Sequence, residues 1–122
     1  MYPLSILYVE DESIYHTIFE DFFKNDFEQI YCALDGEQGY KLFLDRNPDI
    51  IITDFKMPLL DGIGLIKKIR QIDQQLPIIV ISSFGEQHEL IQSIELGVSH
   101  YLLKPITKEN LSNILFELAE LI

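Results

Sequence analysis

The residues of this chain with the means to do chemistry sit at the ends of short apolar runs. Glu10 and Asp11 follow the run that ends at Val9, Asp54 follows Ile50–Thr53, Ser82 and Ser83 follow Ile78–Ile81, and Lys104 follows Tyr101–Leu103. Three carboxylates drawn into one pocket repel one another, so a cation or a proton has to compensate. An oxygen-only donor set favours Mg²⁺ over zinc, because magnesium takes near-octahedral oxygen ligation from one or two carboxylates, waters and phosphate. Phosphoryl transfer asks for an attacking oxygen in line, with positive charge and hydrogen-bond donors around the phosphoryl oxygens. Asp54 offers the attacking carboxylate, Lys104 a mobile ammonium, Ser82 a hydroxyl donor and Asp11 a metal ligand.

Bringing those groups together is the work of the elements between them. Strand-length apolar runs recur at Leu4–Val9, Ile30–Leu34, Ile50–Thr53, Ile78–Ile81 and Tyr101–Leu103, each followed by a stretch with helical spacing. The pattern predicts a strand and a helix repeated five times, an α/β fold. Ile14, Ile18 and Phe22 at i, i+4, i+8 mark the expected core face of the first helix, and Leu111, Ile114, Leu115 and Leu118 that of the last. Asp35-Gly36 opens the second helix, Pro48-Asp49 precedes the third strand, Asp61-Gly62 precedes the third helix and Gly97 closes the fourth. The unbroken apolar character of Ile50–Ile52 and Ile78–Ile81 predicts strands covered on both faces, as in a parallel sheet between helices. In such sheets ligands bind beyond the carboxyl ends of the strands, where the winding reverses, and the reactive residues all fall there.

At 122 residues the chain fits one domain spanning 1–122, and 48% hydrophobic against 24% charged residues is the balance of a folded chain. Twenty acidic residues against nine Lys and Arg leave a net charge of −11, and Lys67-Lys68 is the densest basic pairing. Direct nucleic-acid binding and attachment to anionic lipid are therefore not expected. Cys32, the lone cysteine, lies in an apolar-flanked run and reads as a buried, inert thiol in a reducing compartment. The apolar run Ser5–Val9 is too short for a signal segment or a membrane span, so a cytoplasmic location is expected. His16, His88 and His100 lie apart without metal-ligand spacing and read as structural or exposed, none of them a phosphodonor.

Taken together, Val9-Glu10-Asp11-Glu12, Asp54-Phe55-Lys56-Met57-Pro58, Asp61-Gly62, Ser82-Ser83 and Tyr101-Leu102-Leu103-Lys104-Pro105 resemble the signatures of response regulator receiver domains, over essentially the whole chain. That resemblance implies a flavodoxin-like, doubly wound sheet of five parallel strands in the order 2-1-3-4-5, flanked by five helices. It implies Mg²⁺ held by Asp11, Asp54 and the backbone carbonyl of Lys56, with Glu10 acting mainly through water and Glu12 a solvated neighbour. It implies a cis bond between Lys104 and Pro105. It further implies that Asp54 takes its phosphoryl group from a phosphohistidine of a sensor kinase or phosphotransfer protein. Ser82 then turns toward the phosphate, Tyr101 repacks, and a downstream effector domain or protein reads the surface of the fourth helix, fifth strand and fifth helix. An effector domain could follow the chain, and homodimerisation through that surface is common in the family.

Lys56 and Phe84 occupy family positions that flank the path of hydrolytic water, so their identity is expected to tune dephosphorylation. Ser83 stands where many receivers carry the smaller Ala. Asp61 reads as a turn acid before Gly62 and not as a ligand. Two rival functions share parts of this pattern. A small aspartate-nucleophile phosphatase wants a general acid two residues after the nucleophile, where this chain has Lys56. A flavodoxin-like cofactor binder wants a phosphate-cradling loop after the first strand, where Glu10-Asp11-Glu12 would repel the phosphate.

Overall fold

The isoleucine-rich runs become the centre of the sheet. In the computed structural model, which describes residues 1–122, the strands are β1 (Tyr2–Val9), β2 (Phe27–Ala33), β3 (Ile50–Asp54), β4 (Ile78–Ser82) and β5 (His100–Leu103). The helices between and after them are α1 (Ser13–Phe23), α2 (Gly36–Arg46), α3 (Gly62–Arg70), α4 (Gln87–Glu95) and α5 (Lys108–Leu121). All pairings are parallel and the order is β2-β1-β3-β4-β5, so the winding reverses between β1 and β3. Sheet order and fold class stand as the motifs implied. Strand limits differ slightly: β2 begins at Phe27 and stops at Ala33, leaving Leu34 about half exposed in the turn before α2.

Every residue of β3 and β4 is buried, and their side chains alternate between two cores with the period of a pleated strand. Ile6, Tyr8, Ile50, Ile52, Ile79 and Ile81 face one core, shared with Phe19 and Phe23 of α1 and Leu111, Leu115 and Leu118 of α5. Leu7, Val9, Ile51, Ile78 and Val80 face the other, shared with Phe43 of α2 and Ile63, Leu65, Ile66 and Ile69 of α3. Helices on both faces explain the unbroken apolar runs.

One helical stripe is placed differently from its expectation. α1 buries His16, Phe19 and Phe23, while Ile14 is exposed and Ile18 and Phe22 are half-buried. Tyr15, Phe19 and Phe23 have the same i, i+4, i+8 spacing as Ile14, Ile18 and Phe22, and the larger aromatic row takes the interior. The choice follows from the aromatic stack that receives it: Phe23 packs 6.2 Å from Phe27 and 6.4 Å from Phe116, ring centre to ring centre.

Helix ends follow local chemistry. Asp35, Asp61 and Thr107 cap α2, α3 and α5 by accepting the backbone N–H of Gln38, Gly64 and Asn110. Past the end of α4, Gly97 takes φ 74°, a left-handed conformation that side chains resist.

Candidate functional site

The reversal of winding between β1 and β3 opens a crevice at the carboxyl edge of the sheet, and the acids gather there. β1 ends at Val9, in register with Thr53, so Glu10 and Asp11 leave the sheet beside Asp54. One carboxylate oxygen from each of Glu10, Asp11 and Asp54 falls within 4.8 Å of the others; Glu10 and Asp54 are buried and Asp11 is exposed at the mouth. Lys104, one residue beyond β5, reaches across this edge. Its ammonium donates to Asp54 Oδ2 at 2.7 Å and to Glu10 Oε1 at 3.1 Å.

Backbone groups hold the carboxylates in place. Asp54 Oδ1 accepts the Phe55 N–H at 2.8 Å, and Glu10 Oε2 accepts the Glu12 N–H at 3.1 Å. Burial drives the Glu10 carboxyl up to about 7; the Glu12 N–H opposes this, Asp11 adds to it, the Lys104 ammonium opposes it and the charge of Asp54 adds to it. Burial pulls the Lys104 ammonium down, but its hydrogen bonds and charge pairing with Asp54 and Glu10 outweigh that and hold it above the ordinary lysine range. The pocket thus gathers three acids around one fixed cation. Its all-oxygen donors and surplus negative charge suit a hard divalent cation, so the residues present fit Mg²⁺.

Ser82 is buried at the end of β4, one residue past the Ile81 that pairs with Asp54, and its carbonyl accepts the Lys104 N–H at 2.8 Å. The Asp54 carboxylate, the Ser82 hydroxyl and the Lys104 ammonium therefore stand at the ends of three adjacent strands. The Lys104-Pro105 bond is cis. Lys56 and Phe84 lie on the loops after β3 and β4 and are exposed, Phe84 at 93%. Tyr101 is outside the pocket, 54% exposed on the edge strand. Glu12 is exposed, and Asp61 is the α3 cap described above.

Three neighbours of the site escaped the sequence reading. The ring of Tyr15 lies 4.8 Å from the Lys104 ammonium, a cation–π contact. His16 touches the Glu10 carbonyl, as taken up below. Glu86, buried ahead of α4, accepts the Ser83 N–H and so ties the loop after Ser82 to that helix. The Ser83-x-x-Glu86 spacing of a capping box was a readable signal for the last of these. Cys32 corrects its expectation in degree: it is half-buried, and its thiol, driven up to about 12 by burial and by its hydrogen bond to Glu20, is held inert.

Comparison with known proteins finds one family. The family model described as response regulator receiver domain matches residues 6–116. The chemotaxis protein CheY of Bacillus subtilis is 36% identical over 101 residues, which cover 82% of this chain and 84% of that protein. An uncharacterized transcriptional regulatory protein of the same organism, YesN, is 40% identical over 86 residues, 70% of this chain but 23% of its own length. Among solved structures, the N-terminal domain of an uncharacterized Wolinella succinogenes protein superposes with a TM-score of 0.91 at 37% identity, covering 97% of this chain and 95% of that one. No helix is long and apolar enough to cross a membrane.

Proposed function

This chain belongs to the response regulator receiver domain family of two-component systems, and on that premise we propose that it is a phosphorylation-dependent switch with Asp54 as phosphoacceptor. The observation that carries the reading is the bridge from Lys104 to Asp54 and Glu10, 2.7 and 3.1 Å, beside the exposed carboxylate of Asp11. A buried aspartate on a strand end with an ammonium already against it has the nucleophile and the charge that a phosphoryl group needs.

In the proposed reaction an oxygen of Asp54 attacks phosphorus as the P–N bond to a donor imidazole breaks, giving an acyl phosphate on Asp54 and returning the electron pair to the imidazole. Lys104 gives up its contact with Oδ2 and follows the charge to a phosphoryl oxygen, while the Ser82 hydroxyl donates to another. Asp11, Asp54 and the backbone carbonyl of Lys56 would hold Mg²⁺, with Glu10 acting through water. The metal supplies neutralising charge to the phosphoryl oxygens. The donor is a sensor histidine kinase or phosphotransfer protein. The chain catalyses its own modification and turns over no separate substrate.

New contacts to Ser82 and Lys104 bias the loop into α4 and the strand beside it. The surface that would change is apolar and open: Ile91 and Ile94 of α4 and Tyr101 and Leu103 of β5 are each more than half exposed. A downstream effector, in this chain's own protein or a separate one, is the proposed reader.

Incubation with Mg²⁺ and phosphoramidate, followed by intact mass, is expected to add one phosphoryl group to the native chain and none to Asp54→Ala. Absence of addition to the native chain, or equal addition to the variant, removes the reading. Lys56 and Phe84 are proposed to lengthen the phosphorylated state, Lys56 by offsetting charge and Phe84 by excluding water. Lys56→Asn and Phe84→Ala are then expected to lose phosphate several-fold faster in a decay assay, and slower loss from either would count against this role.

A further inference from the structure

His16 is 7% exposed on the first turn and a half of α1, and the phosphoryl chemistry above makes no use of it. Its Nε2 lies 2.7 Å from the carbonyl oxygen of Glu10 and 3.0 Å from that of Ala33. Both partners accept only, so the ring carries its proton on Nε2 and shares it between them. The Ala33 carbonyl also accepts the Glu10 N–H at 3.0 Å. Glu10 just past β1, His16 of α1 and Ala33 at the end of β2 thus close a small ring of hydrogen bonds at the edge of the acidic crevice.

What that ring fixes is the peptide between Glu10 and Asp11. The Glu10 carbonyl and the Asp11 amide belong to one plane, so holding the oxygen sets the direction in which the chain enters Asp11. The Glu10 side chain is held separately, through the Glu12 N–H on Oε2 and the Lys104 ammonium on Oε1. The imidazole in turn has little freedom: its ring packs 4.9 Å from that of Tyr8, and Tyr8 packs 4.8 Å from Phe19, both fully buried. The chain from rigid core to acidic loop is unbroken.

We propose that His16 is a positioning residue of the phosphoacceptor site, its Nε2–H pinning the Glu10–Asp11 peptide to the end of β2 so that both carboxylates present to a divalent cation in one arrangement. The inference rests on the metal-dependent reading given above. Magnesium tolerates little departure from octahedral ligation, so a loop free to rotate its Asp11 would bind it less tightly. Partners that orient ligands in this way are worth about 10-fold or more in metal affinity. A histidine that merely filled space against Tyr8 and Phe19 would set stability and leave that affinity alone.

The test separates the two through the reach of the donor. Glutamine carries its amide nitrogen the same number of bonds from Cα as histidine Nε2, asparagine one bond fewer, and leucine has no donor. All three lose the ring. Mg²⁺ affinity is measured by calorimetric titration of the whole chain at constant pH and ionic strength, with thermal midpoints taken without metal. His16→Leu and His16→Asn are expected to bind Mg²⁺ about 10-fold more weakly than native, and His16→Gln within about threefold of native. The three variants should lose comparable thermal stability. Affinity of His16→Leu within twofold of native, or His16→Gln as weak as His16→Asn, overturns the proposal.

A second measurement needs no variant: nitrogen-15 spectra of the native imidazole must show the proton on Nε2, and a ring protonated on Nδ1 alone overturns the proposal even if the variants do not fold. A native chain that does not bind Mg²⁺ removes the functional reading and the proposal with it. A native chain that binds, beside variants that bind equally well, removes only the role of His16.

Discussion

Between pH 5 and pH 8 the side chain at this site with the most to change is Glu10. Burial raises its carboxyl from the ordinary 4.5 to about 7, with the charge of Asp54 adding to the shift. An acid raised in the folded state contributes stability that is full below its unfolded value and is lost as pH climbs through the folded one. The metal-free chain is therefore expected to melt several degrees lower near pH 8 than near pH 5 through this group. Lys104, held above its ordinary range, stays charged across that window and adds no slope of its own. Thermal midpoints across the range should flatten in Glu10→Gln. They should steepen in Lys104→Met, where the buried carboxylates lose their fixed cation. Identical slopes in native and Glu10→Gln would show that the carboxyl titrates elsewhere. The acids themselves were readable because strand ends are where a parallel sheet exposes its reactive groups. Tyr15 was not, since nothing in an aromatic at helical spacing says that its ring will face an ammonium 89 residues later.

At the scale of the element, α3 shows how closely a helix is fitted to the residue it supports. A methyl group on Gly62 would lie 2.1 Å from the Asp54 carbonyl oxygen, and the Gly62 N–H donates to the Phe55 carbonyl at 2.8 Å. The start of α3 and the backbone of Asp54 are in direct contact, with no room for Cβ. Gly62→Ala is expected to cost about 2–4 kcal/mol in urea unfolding. Asp61→Ala, which removes only the cap to the Gly64 N–H, should cost about 1 kcal/mol. Equal costs would mean that the backbone around Asp54 yields easily. The turn itself was legible in Asp61-Gly62, as was the opening of α2 in Asp35-Gly36, whereas the capping hydrogen bonds were not read. The face of α1 was not, because Ile14, Ile18, Phe22 and Tyr15, Phe19, Phe23 share one period and only the aromatic pocket beneath decides between them.

Over the whole molecule, cohesion is uneven in a way that suits a switch. α3 buries Ile63, Leu65, Ile66 and Ile69, whereas Ser93 is the one fully buried side chain of α4. β5 is a four-residue edge strand with alternate residues exposed. Few apolar contacts and open backbone groups mark the parts of a fold that open first. Amide hydrogen exchange is expected to be faster in α4 and β5 than in α3, β3 and β4, and addition of Mg²⁺ with phosphoramidate should alter protection most in α4 and β5. Uniform protection across the five strands and helices would speak against a mobile output face.

The sequence by itself determined the alternation of strand and helix, the turns, and the set Glu10, Asp11, Asp54, Ser82 and Lys104. These are properties of short segments, set by hydrophobic period, by the turn chemistry of Asp and Gly, and by which residues follow each apolar run. Sheet order came from likeness to a family, and the tertiary structure carries it: β1 lies between β2 and β3, so Glu10 and Asp54 become neighbours 44 residues apart. Only the packed chain decided the rest. Which row of α1 enters the core, how Lys104 is shared between two carboxylates and a tyrosine ring, and what His16 holds all depend on contacts between segments distant in sequence, whose geometry no local pattern encodes.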